Sequence, residues 1–156
     1  MTLPLDGVRV VEFSHMVMGP SCGLILADLG AEVIKIEPPG GDRTRFLKSS
    51  GTGFFAALGR NKKSVTLDTA DPAHIETLLR LLDTADVVLE NFRPGALAEK
   101  GLGFDVLRAR NPRLICLSLK GFLSGPYEHR TALDEVVQMM SGLAYMTGPP
   151  GRPLRA

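Results

Sequence analysis

The first forty residues switch between two periodicities, and that switch narrows the fold more than any other part of the chain. Val8 to Phe13 is a β-branched run between Gly7 and the polar pair Ser14–His15, and it reads as a buried strand. Gly19–Pro20 opens a helix, because proline fits a first helical turn. Leu24, Ile25, Ala27 and Leu29 continue that helix, and Gly30 stops it as a C-terminal cap. Glu32 to Glu37 (EVIKIE) is the next strand. Two strands joined through a helix by short loops are the basic unit of a parallel sheet.

The alternation continues. Pro38 to Gly53 is rich in Gly, Pro, Ser, Arg and Asp and reads as a long surface loop. Phe54 to Leu58 forms a short helix, and Ser64 to Asp68 (SVTLD) alternates like a strand. Asp71–Pro72 then opens a helix with Ile75, Leu78, Leu79 and Leu82 on its apolar face. Asp86 to Glu90 is a strand followed by the turn NFRPG. Short helices follow over Ala96–Lys100 and Phe104–Arg110, then a fifth strand over Arg113–Leu119. After the loop GFLSGPYEHRTAL, a helix starts at Asp134 and runs through Val136, Val137 and Met140. The order predicts an α/β fold with an open, doubly wound, mostly parallel sheet. Residues 1–148 read as one domain. The stretch TGPPGRPLRA has no periodicity, and 149–156 reads as a linker toward a missing remainder.

Composition sets outer limits. The 156 residues are 44% hydrophobic and 22% charged, as in globular rather than disordered chains. Lys plus Arg is 18 and Asp plus Glu is 17, so the net charge of +1 gives no general attraction to nucleic acid or anionic membrane. Cys22 and Cys116 are far apart and make no disulfide framework, which with the lack of a signal-like or membrane-spanning run predicts a cytoplasmic protein.

Ligands of doubly wound sheets sit outside the carboxyl ends of the strands. Four segments fall there: His15–Gly19, Glu37–Arg45, Glu90–Gly95 and Lys120–Asp134. A dinucleotide-binding domain is one reading, since Glu37 stands where a ribose-binding acid would. The loop SHMVMGPSCG lacks the glycine spacing for a pyrophosphate, however, and Glu37 reads better as a solvated acid at a strand end. His15, His74 and His129 are scattered, and no Cys/His pair has ligand spacing, so no metal site is expected. There is no G-x-S-x-G after a strand and no P-loop. The basic group Arg60, Asn61, Lys62 and Lys63 reads as a solvated loop, with contact to a phosphate as the alternative. The Asn91–Phe92–Arg93–Pro94–Gly95 turn offers an amide, an aromatic face and a guanidinium at a strand end. It suits a nucleotide ligand and equally a plain proline turn with Phe92 in the core.

Six ordered segments carry a resemblance: VRVVEFSHMVMGP, LADLGAEVIKIEPPGGDRTR, GRNKKSVTLD, ADVVLENFRPGALAEKGLGF, NPRLICLSLKGF and GPYEHRTALDEVVQMMSG. From Leu3 to Arg155 the chain resembles the N-terminal part of the class III CoA-transferases (CaiB/BaiF type), the group of formyl-CoA transferase and carnitine CoA-transferase. The resemblance implies part of a Rossmann-like large domain, with a smaller domain elsewhere in the parent chain and two interlocked subunits. CoA would cross the carboxyl ends of the strands as a substrate rather than a resident cofactor, its partner being a carboxylic acid. Matching positions along CoA are His15, Met16, Val17 and Met18, then Leu67 to Ala70 including Asp68, then Asn91, Phe92 and Arg93, then the stretch from Thr131 to Asp134.

The same resemblance implies a reaction. A carboxylate nucleophile attacks the acyl-CoA thioester to give a mixed anhydride. CoA thiolate then re-attacks to leave an enzyme-bound thioester, from which the second acid takes the CoA. The nucleophilic Asp is expected shortly after the G-R-P-L-R segment, past Ala156, which predicts that this chain alone is inactive. Asp134 matches a supporting acidic position; its structural reading is the N-cap of the helix it begins. Pro38 and Glu99 stand where relatives carry Arg, so Arg43 or Arg45 would have to serve the phosphates. A branch that racemises 2-methylacyl-CoA has His where this chain has Leu133, which favours CoA transfer. The alternative within the family is a non-catalytic product that binds CoA or a partner subunit.

Overall fold

The computed structural model describes residues 2–156. Five strands, β1 (Arg9–Phe13), β2 (Glu32–Glu37), β3 (Lys62–Thr66), β4 (Val87–Glu90) and β5 (Ile115–Ser118), form one sheet in the order β3-β2-β1-β4-β5. Every neighbouring pair is parallel. Helices α1 (Met18–Asp28), α2 (Phe54–Leu58), α3 (Pro72–Asp83) and α4 (Phe104–Arg110) connect them, and α5 (Asp134–Ser141) and α6 (Leu143–Thr147) follow. The predicted doubly wound α/β fold is what the chain adopts.

Side-chain alternation along the strands builds two cores. Val11, Phe13, Ile34 and Val88 point to one face and pack with Leu78 and Leu82 of α3 and Leu107 of α4. Val10, Val33 and Leu89 point to the other and pack with Ala27 of α1 and with Ala31. Short-range punctuation is as expected: Gly30, at φ +104°, follows α1, and the Asp71 carboxylate caps α3 by accepting from the Ala73 N–H at 2.8 Å.

Several expectations are corrected. Strand β3 starts at Lys62, not Ser64, because Lys62 pairs in register with Val33 and its ammonium is drawn beneath the sheet. The 38–53 loop carries two short 3-10 turns, Arg43–Phe46 and Ser49–Gly51. Asp134 is the first helical residue of α5 rather than its cap; Leu133 holds the cap position, and Asp134 instead accepts from the Gln138 amide at 2.7 Å.

The chain divides into two compact units, Met1–Leu119 and Lys120–Ala156. The second unit holds α5, α6 and a tail that returns onto them. The Leu154 N–H donates to the Ala144 carbonyl at 2.9 Å and the Ala156 N–H to Gln138 Oε1 at 2.8 Å, and Arg155 pairs with Glu135.

Candidate functional site

After β1 the sheet grows in one direction through β2 and β3, and the chain then returns to add β4 and β5 on the other side of β1. The carboxyl ends of β1 and β4 therefore mark the topological switch point, where doubly wound sheets open a crevice. The His15 and Phe92 rings stack there, with centroids 5.5 Å apart and planes 16° apart. Asn91 clamps the same turn from both sides: its Oδ1 accepts from the His15 N–H and its Nδ2 donates to the His15 carbonyl, both at 3.0 Å. Gly19 permits this approach, since a Cβ there would lie 2.6 Å from Ser14 Cβ and 2.8 Å from Asn91 Cγ.

A cleft of about 510 Å³ opens beside this stack. His15, Met16, Phe92, Arg43, Thr44 and Leu47 are among its lining residues, and its volume is within the range of small-molecule sites. Met16 holds a left-handed backbone at φ 62°, a conformation that costs a non-glycine residue free energy and needs external support. Its N–H donates to Thr44 Oγ1 at 3.0 Å, tying the first loop to the segment after β2.

Beneath the cleft, on the α1 face, lies a set of buried charges. Register places Glu12 opposite Lys35, and Lys62 comes in from β3. Lys62 Nζ sits 2.7 Å from Glu12 Oε2, and Lys35 Nζ sits 3.0 Å from Asp42 Oδ2 and 3.7 Å from Glu12 Oε1. All four side chains are at most 5% exposed, so two positive and two negative charges neutralise one another within the core. Glu12 Oε2 and Asp42 Oδ2 are held by charge pairing without a well-directed hydrogen bond. Burial pulls the Lys62 ammonium below its ordinary pKa, against the opposing pull of Glu12. For Asp42 burial pushes upward, but the Thr44 N–H and Lys35 outweigh it, and the carboxyl stays below the usual range. Burial lowers the His15 pKa, Asp42 opposes this and Lys35 adds to it, which favours the neutral ring.

Glu37 is not the solvated acid the sequence suggested. Its side chain is 1% exposed and takes hydrogen bonds from Arg45 Nε and Arg45 Nη2, both at 2.7 Å, from Ser64 at 2.6 Å and from the Asp42 N–H at 2.8 Å. Burial pushes its pKa up, yet these donors overcome that and hold it at about 2. In the basic group 60–63, Arg60, Asn61 and Lys63 are exposed as expected, and Lys62 alone has its side chain buried. Arg60 and Asn61 both bind Asp28, Lys63 binds Glu32, and Lys62 also reaches the Pro20 carbonyl at 2.8 Å.

Of the residues singled out from sequence, His15, Met16 and Phe92 meet in the cleft wall, and Asn91 braces them. Phe92 also packs against the core, as the proline-turn reading expected. Val17 and Met18 are exposed at the start of α1. The Leu67 side chain is buried in the core, and the Asp68 carboxylate accepts from the Ala70 N–H at 2.9 Å. Arg93 is exposed and joined to Glu99 by two bonds of 2.9 and 2.5 Å. Thr131 and Asp134 belong to the second unit, where both are exposed. Sequence reading missed Ser14, and it placed Asp42 and Thr44 within the candidate segment Glu37–Arg45 without singling them out. The signal for the last two was the spacing Asp-x-Thr, in which an aspartate accepts from the N–H two residues on. Among the described residues no cluster of His, Cys, Asp or Glu suits a metal ion, and no helix is long and apolar enough to cross a membrane.

Residues 5–156 match the family described as CoA-transferase family III. The chain is 46% identical over 156 residues to succinyl-CoA–D-citramalate CoA-transferase of Chloroflexus aurantiacus, covering 96% of this chain and 39% of the relative. It is 44% identical over 153 residues to formyl-CoA:oxalate CoA-transferase of Rhodopseudomonas palustris, covering 95% of this chain and 36% of the relative. The crystal structure of a CAIB/BAIF family protein from Brucella suis superimposes with a TM-score of 0.90 at 40% identity, over 100% of this chain and 44% of that one. The orthorhombic form of Rv3272 from Mycobacterium tuberculosis gives a TM-score of 0.90 at 46% identity, over 99% and 43%. The chain thus spans about two-fifths of the length of these relatives.

Proposed function

The chain belongs to CoA-transferase family III, and we propose that its cleft holds a CoA thioester for exchange of CoA between two carboxylic acids. One observation carries the reading: segment 15–18 and turn 91–93 meet at the sheet's switch point, where the His15–Phe92 stack walls a cleft of about 510 Å³. The stacked rings and Met16 offer an apolar surface to the ligand's organic parts. The neutral His15 ring offers hydrogen-bonding edges without a charge. Arg43 lines the same cleft and supplies the cation for a phosphate, because Arg45 is committed to Glu37.

The covalent steps follow the family resemblance. A carboxylate displaces CoA thiolate from the acyl thioester, forming an anhydride; the thiolate then re-attacks to release the first acid and leave an enzyme thioester. The carboxylate of the second acid attacks the enzyme thioester, displacing CoA thiolate and forming a second anhydride; the thiolate then attacks the acyl carbonyl of that anhydride, giving the new acyl-CoA and releasing the enzyme carboxylate. The resemblance sets the nucleophilic Asp past the Gly151–Arg155 segment, so the function proposed for these 156 residues is binding. The exposed apolar side chains of α5 and α6, Met139, Met140, Leu143, Tyr145 and Met146 among them, support association with a second copy as an interlocked homodimer.

Calorimetric titration with CoA tests the reading. Saturable binding that excess NAD does not displace is expected; absence of CoA binding, or displacement by NAD, overturns it. Transferase turnover by these 156 residues alone would overturn the placement of the nucleophile.

A further inference from the structure

Parallel sheets covered on both faces are built from near-continuous apolar strands. On the α1 face this sheet departs from that rule in the carboxyl-end half of β1 and β2, where Glu12, Lys35 and Glu37 replace apolar residues, and along β3, which sets Lys62 and Ser64 beside Val33 and Lys35. Burying such charges gains little stability over apolar residues of similar volume. Their position is informative instead, because the bonds of this cluster run outward to the cleft wall.

Two chains of contacts can be followed. Lys35 Nζ donates to the Ser14 carbonyl at 2.5 Å and lies 3.2 Å from Ser14 Oγ, while Ser14 Oγ donates to Glu12. This fixes the residue immediately before His15. The second chain starts from the same ammonium. Lys35 pairs with Asp42, whose Oδ1 accepts from both the N–H and the hydroxyl of Thr44 at 2.8 Å. With its proton committed to Asp42, Thr44 Oγ1 presents a lone pair to the Met16 N–H. That bond supports the left-handed backbone of Met16, beside the His15–Phe92 stack. Lys35 thus holds the 14–16 turn from both ends, and neither it nor Glu12 is among the residues lining the cleft.

We propose that Lys35, Asp42 and Thr44 are positioning residues for the CoA cleft, with the buried charge cluster fixing the His15–Met16 turn through the Ser14 carbonyl and the Thr44 hydroxyl. This rests on the reading of the cleft as a CoA site. The neutral quartet explains why Glu12 and Lys62 are present as well: Lys35 alone cannot neutralise both buried carboxylates.

The test uses Thr44→Val, Thr44→Ser and Lys35→Met, read by CoA titration, thermal melting and hydrogen exchange of the Met16 amide. Thr44→Val keeps shape and removes the acceptor. Expected are faster exchange of the Met16 N–H and a loss of about fivefold or more in CoA affinity, the equivalent of one hydrogen bond. Thr44→Ser restores both. Where Lys35→Met folds, its affinity loss and that of Thr44→Val combine to less than their product, because both act on one turn. Should Lys35→Met not fold, the two Thr44 variants decide. Unchanged Met16 exchange and unchanged affinity in Thr44→Val overturn the inference, and so does failure of Thr44→Ser to restore them. If the unsubstituted chain binds no CoA, the reading of the cleft fails, and Met16 exchange still decides whether Thr44 holds the turn.

Discussion

The Arg45 guanidinium lies 3.8 Å above the centre of the Phe55 ring and grips the Glu37 carboxylate with two bonds of 2.7 Å. This two-pronged pair joins the end of β2 to the 3-10 turn at 43–46 and fixes one rim of the cleft. It also divides the labour between two arginines that sequence alone could not tell apart. Arg45 is structural, and Arg43, two residues earlier, lines the cleft.

That division predicts opposite phenotypes. Arg43→Gln lowers CoA affinity by about tenfold, as loss of one charged phosphate contact would, and leaves the melting temperature unchanged. Arg45→Gln leaves Glu37 buried and short of its main donor and destabilises the chain by about 3 kcal/mol. Calorimetry with CoA and urea unfolding of both variants check the pair. An Arg43→Gln protein with full affinity removes Arg43 from the site.

Glu37 carries a pH signature. Its carboxyl titrates at about 2 in the folded chain, below the ordinary value of 4.5. An acid with a lowered folded pKa contributes stability that is complete above its unfolded pKa and is lost as pH falls toward the folded one. The shift corresponds to about 3 kcal/mol, removed progressively between about pH 5 and pH 2. Unfolding free energy measured from pH 7 to pH 3 should therefore fall more steeply in the parent chain than in Glu37→Gln. Parallel profiles would contradict the assignment.

Arg93 and Glu99 make a different case, because both are exposed. The pair adds little stability, but it occupies a guanidinium at the carboxyl end of β4. Glu99→Gln releases Arg93 and removes a negative charge that repels phosphates. The expected result is a gain of about threefold in CoA affinity, larger at low salt than at high salt because exposed charges are screened. No gain at low salt would place Arg93 outside the reach of the ligand.

How much of this was legible beforehand follows from the range of the forces involved. Gly30 after α1 and Asp71 ahead of α3 were read correctly because a cap is satisfied within a few residues. The alternation of elements predicted the doubly wound, parallel sheet, but not the spatial order β3-β2-β1-β4-β5, which pairing between distant strands decides. Lys62 was misread because its partners are distant, the Pro20 carbonyl lying 42 residues away; Glu37 was misread although Arg45 and Asp42 lie only 8 and 5 residues on, because its burial between β1 and β3 is decided by strand pairing. Nothing local distinguishes a lysine that enters the core from one that faces water. Lys62 moved the start of β3 two residues earlier for the same reason. Thr44 was overlooked because its role is to accept a hydrogen bond from the Met16 N–H, which only the folded chain brings within 3.0 Å.

The last prediction concerns Gly23, in the middle of α1. Replacing a mid-helix glycine with alanine ordinarily stabilises by up to about 1 kcal/mol. Here a Cβ would lie 1.8 Å from Glu12 Oε2 and 2.9 Å from Lys62 Nζ. A carboxylate at the end of a free side chain would swing away, but Glu12 is fully buried and fixed by Lys62, Lys35 and Ser14. Either α1 lifts off the sheet or the buried pair breaks, so Gly23→Ala destabilises by about 2 kcal/mol, a drop of roughly 5 °C or more in melting temperature. Gly53→Ala, where a Cβ meets nothing within 4 Å, should melt with the parent chain. If the two variants melt together, Glu12 is mobile, and the rigid cluster beneath the cleft loses its footing.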